Sequence, residues 1–430
     1  MTSTAIASPR TFQLRPLLVV GHRWLGLAIA VFLFVAGLTG AVISWDHELD
    51  AALNPRLYHA QSAWQGQGAG SSDDGLVLAA RVEAQRPQLQ VTYVPLVAEA
   101  GETLQMSVAP RIDPATGKLY ALDYNQVAVD PATGIIQGQR EWGAVSLARE
   151  NLLPFLYKLH YSMHIPDVGS FELGVFIMGI VGIAWTLDAF VALVISFPSP
   201  KSWRKSFAFR WSKGGFPLLF DLHRSSGVWL WPLLLVLALT SVAMNLNYEV
   251  VRPIVSTFSR LSPDPFSQRT PVAAEKAVAP GITRERALAL AKAEGVRRGW
   301  KTPAGAVFYS PEYAAYGVGF FAPGKDHGDG GLGNAWLYFD AGNGAPIGAS
   351  VPGEGTAGDL YLQAQFPLHS GRIAGLTGRI VVSALGLIVA MLSVTGVWIW
   401  VRKRWRARAG VRSGQATGEA YVPEQRASRA

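Results

Sequence analysis

The chain has 430 residues, half of them hydrophobic and 16% charged, with a formal net charge of +8. It contains no cysteine, which excludes disulfides, thiolate metal sites, iron–sulfur clusters, c-type haem attachment and cysteine nucleophiles. A basic chain raises nucleic-acid binding as a use, but the positive residues flank apolar runs, and no nucleic-acid partner is expected.

Residues 1–23 carry Arg10, Arg15 and Arg23 with no acid. The first apolar run, 17–43, is long enough to cross a hydrocarbon core of ~30 Å. It exceeds the apolar stretch of a cleavable signal and is read as a retained transmembrane helix. Residues 46–165 follow with thirteen Asp/Glu against eight Lys/Arg. Within them, Gly75–Gln85 reads as an amphipathic helix and residues 90–94, 104–108 and 118–122 read as strands. Asp113-Pro-Ala-Thr-Gly117 and Asp130-Pro-Ala-Thr-Gly134 read as turns in which glycine supplies the positive φ.

The second apolar run spans 171–197 and contains Asp188 in Trp185-Thr186-Leu187-Asp188. A carboxylate at that depth is a functional candidate. Three uses stand open: a hydrogen-bond acceptor orienting His22 or His223, a quinol or proton path, and a packing contact between helices. Residues 198–224 hold Lys201, Arg204, Lys205, Arg210, Lys213 and Arg224 against only Asp221. Apolar runs at 216–246 and 376–401 enclose a second long segment, 249–370. There Ile282-Thr283-Arg284-Glu285 reads as a capping-box start for a helix over 287–296. Strand-like segments at 306–310, 316–321 and 336–340 follow, with a third turn, Asp340-Ala-Gly-Asn-Gly344. The tail opens Arg402-Lys403-Arg404-Trp405-Arg406-Ala407-Arg408. Short basic segments stay cytoplasmic, so both termini and the 198–224 loop are expected inside and the two long segments outside.

The sequence matches itself. A shift of 201 residues sets His22-Arg23-Trp24-Leu25-Gly26 on His223-Arg224-Ser225-Ser226-Gly227, Thr39 on Thr240 and Glu48 on Glu249. A shift of 209 sets Leu159-His160 on Leu368-His369 and Thr186 on Thr395. The unit is helix, external domain, helix, repeated once.

Four of the eight histidines occupy matched positions: His22 and His223 at the cytoplasmic ends of their helices, His160 and His369 at the external ends of theirs. Two facing imidazoles at one membrane level suit axial ligation of a b-type haem, and two pairs suit two haems, one near each face. Along the His22 face stand Gly26, Ala30, Leu33, Gly37 and Gly40, which leave room for a flat macrocycle; the same small residues also suit a helix–helix contact. His164, one turn after His160, is an alternative ligand at the external site, although its matched position is Ile373. His47, His59 and His327 read as surface residues, with a metal site at His327 beside Asp326 and Asp329 as a minor alternative. Gly330-Gly331-Leu332-Gly333 lacks the strand–helix setting of a nucleotide loop.

As a set, Gly21-His22-Arg23-Trp24-Leu25-Gly26, the duplicated helix–domain–helix unit, the Asp-Pro-Ala-Thr-Gly turns, Leu159-His160, Asp221-Leu222-His223-Arg224, Leu368-His369 and Thr395-Gly396-Val397-Trp398-Ile399-Trp400 resemble the PepSY-associated transmembrane proteins. These are also called iron-regulated membrane proteins and include inner-membrane ferric-siderophore reductases. The likeness covers residues 15–405, and it implies haem-bearing helices and reduction of ferric chelates on the periplasmic side. The second helix departs from the pattern, with Thr186-Leu187-Asp188 where the fourth keeps Thr395-Gly396.

The expected fold is an internally duplicated membrane all-α four-helix bundle carrying two small α+β, PepSY-like external domains. Its divisions are 1–45, 46–165, 166–197, 198–215, 216–248, 249–370, 371–401 and 402–430, alternating helix and loop or domain. The expected function is a di-haem b-type oxidoreductase of the bacterial inner membrane, with haem iron held by His22, His223, His160 and His369. Its partners are the lipid bilayer, an external ferric-siderophore or other iron chelate, and a quinol or separate cytoplasmic reductase, because no cytoplasmic segment is long enough for a flavin or nicotinamide domain. The alternatives are a non-redox protein that binds peptides or regulates a protease, and a haem or metal transport accessory.

Overall fold

A computed structural model describes residues 14–64, 75–328 and 330–418; Arg10 and Asp329 lie outside them. The principal elements, in chain order, are α1 (Leu14–Ile43), α2 (Gly75–Gln85), β1 (Leu89–Pro95), β2 (Leu104–Pro110), β3 (Gln126–Val129), β4 (Ile136–Arg140), α3 (Leu152–Ser162), α4 (Leu173–Ser196), α5 (Gly215–Trp229), α6 (Trp231–Asn245), α7 (Arg284–Arg297), β5 (Ala304–Ser310), β6 (Ala315–Phe320), β7 (Ala335–Asp340), β8 (Pro346–Ser350), α8 (Ala357–His369) and α9 (Gly375–Gly418).

Three helical stretches among the described residues are long and apolar enough to cross a membrane: α1, α4 and Arg372–Arg406. The third apolar run differs from the single helix expected over 216–248. It is a pair, α5 and α6, bent by 73° at Leu230. Pro232 accounts for the break: it has no N–H to offer the carbonyl of Val228, and its ring crowds that carbonyl. The position matched to Pro232 by the 201-residue shift is Val31, and α1 runs through it unbroken. Each half of the bent pair has 15 residues, about 22 Å of helix, which is less than a hydrocarbon core requires.

The chain divides into two compact units. Among the described residues, one lies within 14–38, 180–239 and 385–418, and the other within 39–179 and 240–384. The first holds the His22 half of α1, most of α4, the basic loop, α5, the start of α6 and the later part of α9.

The second unit contains the β-structure. Where two separate small domains were expected, all eight strands form one antiparallel sheet, ordered β4-β3-β2-β1-β5-β6-β7-β8. Each half is a four-stranded meander preceded by a helix, α2 or α7, and the halves join where β1 pairs with β5 through Tyr93↔Phe308, Val94↔Val307 and Pro95↔Ala306. One hydrophobic core crosses the junction: Leu78 and Val82 of α2, Leu89, Val91 and Met106 of the first meander, Ala287 and Ala291 of α7, and Val307 and Val318 of the second. Fully burying a leucine or valine contributes about 1.5–3 kcal/mol, so this continuous core favours a single sheet over two half-exposed ones. Arg284 on α7 reinforces the junction, donating to Glu83 Oε1 on α2 at 2.6 Å and to the Val91 carbonyl at 2.6 Å.

The Asp-x-x-x-Gly turns form as expected. Gly134 (φ 70°) donates to the Asp130 carbonyl at 2.8 Å and links β3 to β4, and Gly344 (φ 78°) does the same with Asp340 between β7 and β8. Residues 118–122 form no strand and contribute only the bridge Ile112↔Leu119. Thr283 caps α7, but its third residue is Arg286, which cannot complete a capping box; the complete box belongs to α8, between Thr356 and Asp359.

Candidate functional site

In the first unit, α1 carries His22 and α5 carries His223, with ring centroids 6.2 Å apart and planes at 51°. Asp188 on α4 places Oδ1 and Oδ2 at 2.9 and 3.0 Å from His22 Nδ1. His223 Nδ1 lies 3.1 Å from both the Leu392 carbonyl and Thr395 Oγ1 on α9. A carbonyl can only accept, so His223 Nδ1 carries the proton and Nε2 the lone pair; two carboxylate oxygens fix His22 the same way. Gly396 makes the close approach of His223 feasible, since a Cβ there would stand 3.0 Å from Cε1.

In the second unit, α3 carries His160 and α8 ends on His369, with centroids 6.0 Å apart and planes at 57°. Thr39 Oγ1 lies 3.2 Å from His160 Nδ1, and Thr240 Oγ1 lies 3.0 Å from His369 Nδ1. The matched threonines of α1 and α6 therefore serve the matched histidines. Gly40 plays the part of Gly396 here: a Cβ on it would stand 2.9 Å from His160 Cε1.

His164 sits apart from both pairs, whereas His47, Asp326 and His327 line the cavity described below. His164 stacks on Phe155 with centroids 4.6 Å apart, and its Nε2 donates to the Phe155 carbonyl at 2.9 Å. Met163 and His164 both adopt positive φ, which turns the chain back on α3 and aims the ring at that carbonyl. His327 Nδ1 bonds Asp326 at 2.8 Å; that hydrogen bond holds the imidazole above its ordinary pKa. Burial opposes ionisation of Asp326, and the histidine outweighs it, leaving the carboxyl below its ordinary value. Among the described residues no group of three or more His, Asp or Glu forms a metal cluster.

The centroid separation in each pair is compatible with a metal held between two imidazoles. Two metal–nitrogen bonds of about 2 Å, each extended by ~1 Å to the ring centre, separate two centroids by about 6 Å. Haem needs only two protein ligands, because the macrocycle supplies the rest. The residues one turn after His22 and His223 are Gly26 and Gly227, and a Cβ on either would meet no atom within 4 Å. The first unit thus has space beside its ligand candidates for a flat ring.

The second unit holds a cavity of about 950 Å³. Tyr157, three residues before His160, and Arg372, three after His369, both line it, with Tyr93, Trp142, Glu99 and Glu102 among the other walls. No motif marks this cavity in the sequence, because its walls come from all of β1 to β5, from α3, from the start of α9 and from the segments 46–50 and 323–328. The signal for the histidine partners was present, since Thr39, Thr240 and Thr395 are all repeat-matched.

No curated protein matches the chain. The family described as the PepSY-associated TM region matches residues 21–403, a span that includes all four paired histidines, Asp188, Thr39, Thr240 and Thr395, and the chain is a membrane protein of that family.

Proposed function

We propose that this protein is a di-haem b-type oxidoreductase of the inner membrane, arranged as an internally duplicated bundle of four spans with both termini cytoplasmic. It passes single electrons outward to an external ferric chelate such as a siderophore. The observation that carries this reading is the pair of histidine pairs: ring centroids 6.2 and 6.0 Å apart, with Nδ1 of all four rings engaged by an oxygen.

His22 and His223 would hold one haem, and His160 and His369 the other. When bound, haem supplies reversible one-electron transfer. The chain's own residues do the positioning. Asp188, Thr395 and the Leu392 carbonyl orient the first pair, and Thr39 and Thr240 orient the second, each fixing ring rotation and leaving Nε2 for the metal. Gly40 and Gly396 let the helices approach closely enough for those contacts. The cavity flanked by Tyr157 and Arg372 is the place for the chelate; at about 950 Å³ it lies at the upper end of small-molecule sites. One electron converts Fe(III) to Fe(II), which hard oxygen donors hold less strongly, so the iron is released without covalent catalysis. The electron comes from a quinol or a separate cytoplasmic reductase.

The test is the absorption spectrum of the purified protein with and without dithionite. A reduced b-type α band is expected. His22→Ala and His160→Ala should each remove about half of it, because each abolishes one of two bis-histidine sites. A dithionite-treated protein with no such band would sink the reading.

A further inference from the structure

One contact sets the two pairs apart in charge. Thr39 serves His160 and Thr240 serves His369, so both histidines of the second unit rest on neutral hydroxyls. In the first unit His223 rests on a neutral hydroxyl and a carbonyl. His22 does not follow this pattern. Its expected partner by the 209-residue match is Thr186, yet the Thr186 hydroxyl donates to the Gly182 carbonyl at 2.8 Å within α4. Asp188, two residues on, takes the place at His22 with both carboxylate oxygens. Asp188 is 7% exposed, and a negative charge in such surroundings acts on its neighbours far more strongly than it would in water.

We propose that Asp188 is a positioning residue that makes the His22–His223 pair the low-potential centre of the protein. This inference rests on the haem reading above. A carboxylate accepting the Nδ1 proton pushes electron density into the imidazole, raises its basicity toward iron and favours the oxidised metal. A threonine hydroxyl does so much less. Two otherwise equivalent centres are thereby set at different potentials, the lower at His22–His223 and the higher at His160–His369. By the charge asymmetry of the loops, the lower one faces the cytoplasm. Electron flow outward is then downhill, and the departure of α4 from the repeat gives the protein its direction.

The experiment is redox potentiometry of the full chain, followed by the reduced α band. Wild-type protein should titrate in two one-electron waves, and His369→Ala, which removes the external centre, should keep the lower wave. Asp188→Asn should move that wave upward and leave the other where it is, and Asp188→Glu should bring it back toward wild type. Coincident waves, or a higher wave retained in His369→Ala, overturn the proposal even if Asp188→Asn fails to fold. An Asp188→Asn protein with unmoved waves overturns it too, since a packing role would leave the potential alone. Absence of haem from the wild-type protein strikes the reading of function instead.

Discussion

Gly40 sits so close to His160 that a Cβ in its place would stand 2.9 Å from the imidazole Cε1. The neighbouring atom belongs to a ring held at Nδ1 by Thr39, so it cannot yield freely. Gly40→Ala should rotate or displace His160 at an overpacking cost of about 1–3 kcal/mol. Gly396→Ala should do the same to His223, where the corresponding distance is 3.0 Å. Each variant is expected to weaken the reduced α band of one centre while the other remains. An unaltered spectrum in both would show that these glycines only pack helices.

Gly26 and Gly227 make the opposite case. A Cβ added at either position meets no atom within 4 Å, so replacement by leucine is expected to leave folding intact and gain a few tenths of a kcal/mol or more in helix propensity. If that space takes a macrocycle beside His22 and His223, Gly26→Leu and Gly227→Leu should fold with undiminished thermal stability in the apo form and lose haem from that centre. Full haem content in both leucine variants would contradict the placement.

The two examples mark what the sequence carries and what it leaves out. Matched histidines are legible because repetition leaves a fixed offset, and the same offsets single out Thr39, Thr240 and Thr395. What those threonines touch is not legible, because the contacts join residues 121, 129 and 172 apart in sequence. The joining of the two meanders into one sheet is hidden for a similar reason: β1 and β5 pair over more than two hundred residues, and each strand alternates in a way that suits an edge or a centre equally. Pro232 was visible, but hydropathy averages over it, so one apolar run became two helices. The 118–122 stretch has strand-like composition with only one bridge to hold it. His164 is an alternative ligand by its spacing to His160, and the positive φ of two successive non-glycine residues, which no periodicity reports, sends it to Phe155 instead.

Asp50 and Arg140 form an ion pair at 2.5 Å, 3% and 6% exposed, and the carboxylate also accepts from Tyr58 and Asn54 at 2.7 Å each. Burial and the adjacent Asp50 charge push the Tyr58 hydroxyl pKa upward, keeping it a donor. Removing Arg140 leaves a buried carboxylate uncompensated, and Arg140→Ala should cost about 3–5 kcal/mol. Arg297→Ala breaks a pair whose arginine is 71% exposed and should cost far less, because water screens an exposed pair. Asp50→Asn combined with Arg140→Met should recover part of the loss. Thermal unfolding in detergent, compared across these variants, decides it; equal losses at the two sites would refute the buried network.

Asp340 opens the β7–β8 turn and pairs with Arg269 at 2.5 Å, with the two side chains about three-quarters buried. The Arg269 hydrogen bond is the main influence that holds the Asp340 carboxyl below its ordinary value, with the Gly342 and Asn343 amides adding to it against a smaller opposing effect of burial. The folded pKa thus lies below the unfolded one. The stabilisation is therefore complete above the unfolded value of about 3.9 and disappears as pH falls through the lower folded value. Asp340→Asn should lower stability at pH 7 by about 1–2 kcal/mol, the scale of a charge-assisted hydrogen bond. The difference between wild type and variant should hold nearly constant from pH 7 to 5 and shrink below pH 4. Unfolding midpoints measured across that range give the sign directly, and a gap that widens on acidification would mean that the Arg269 contact stabilises the protonated acid instead.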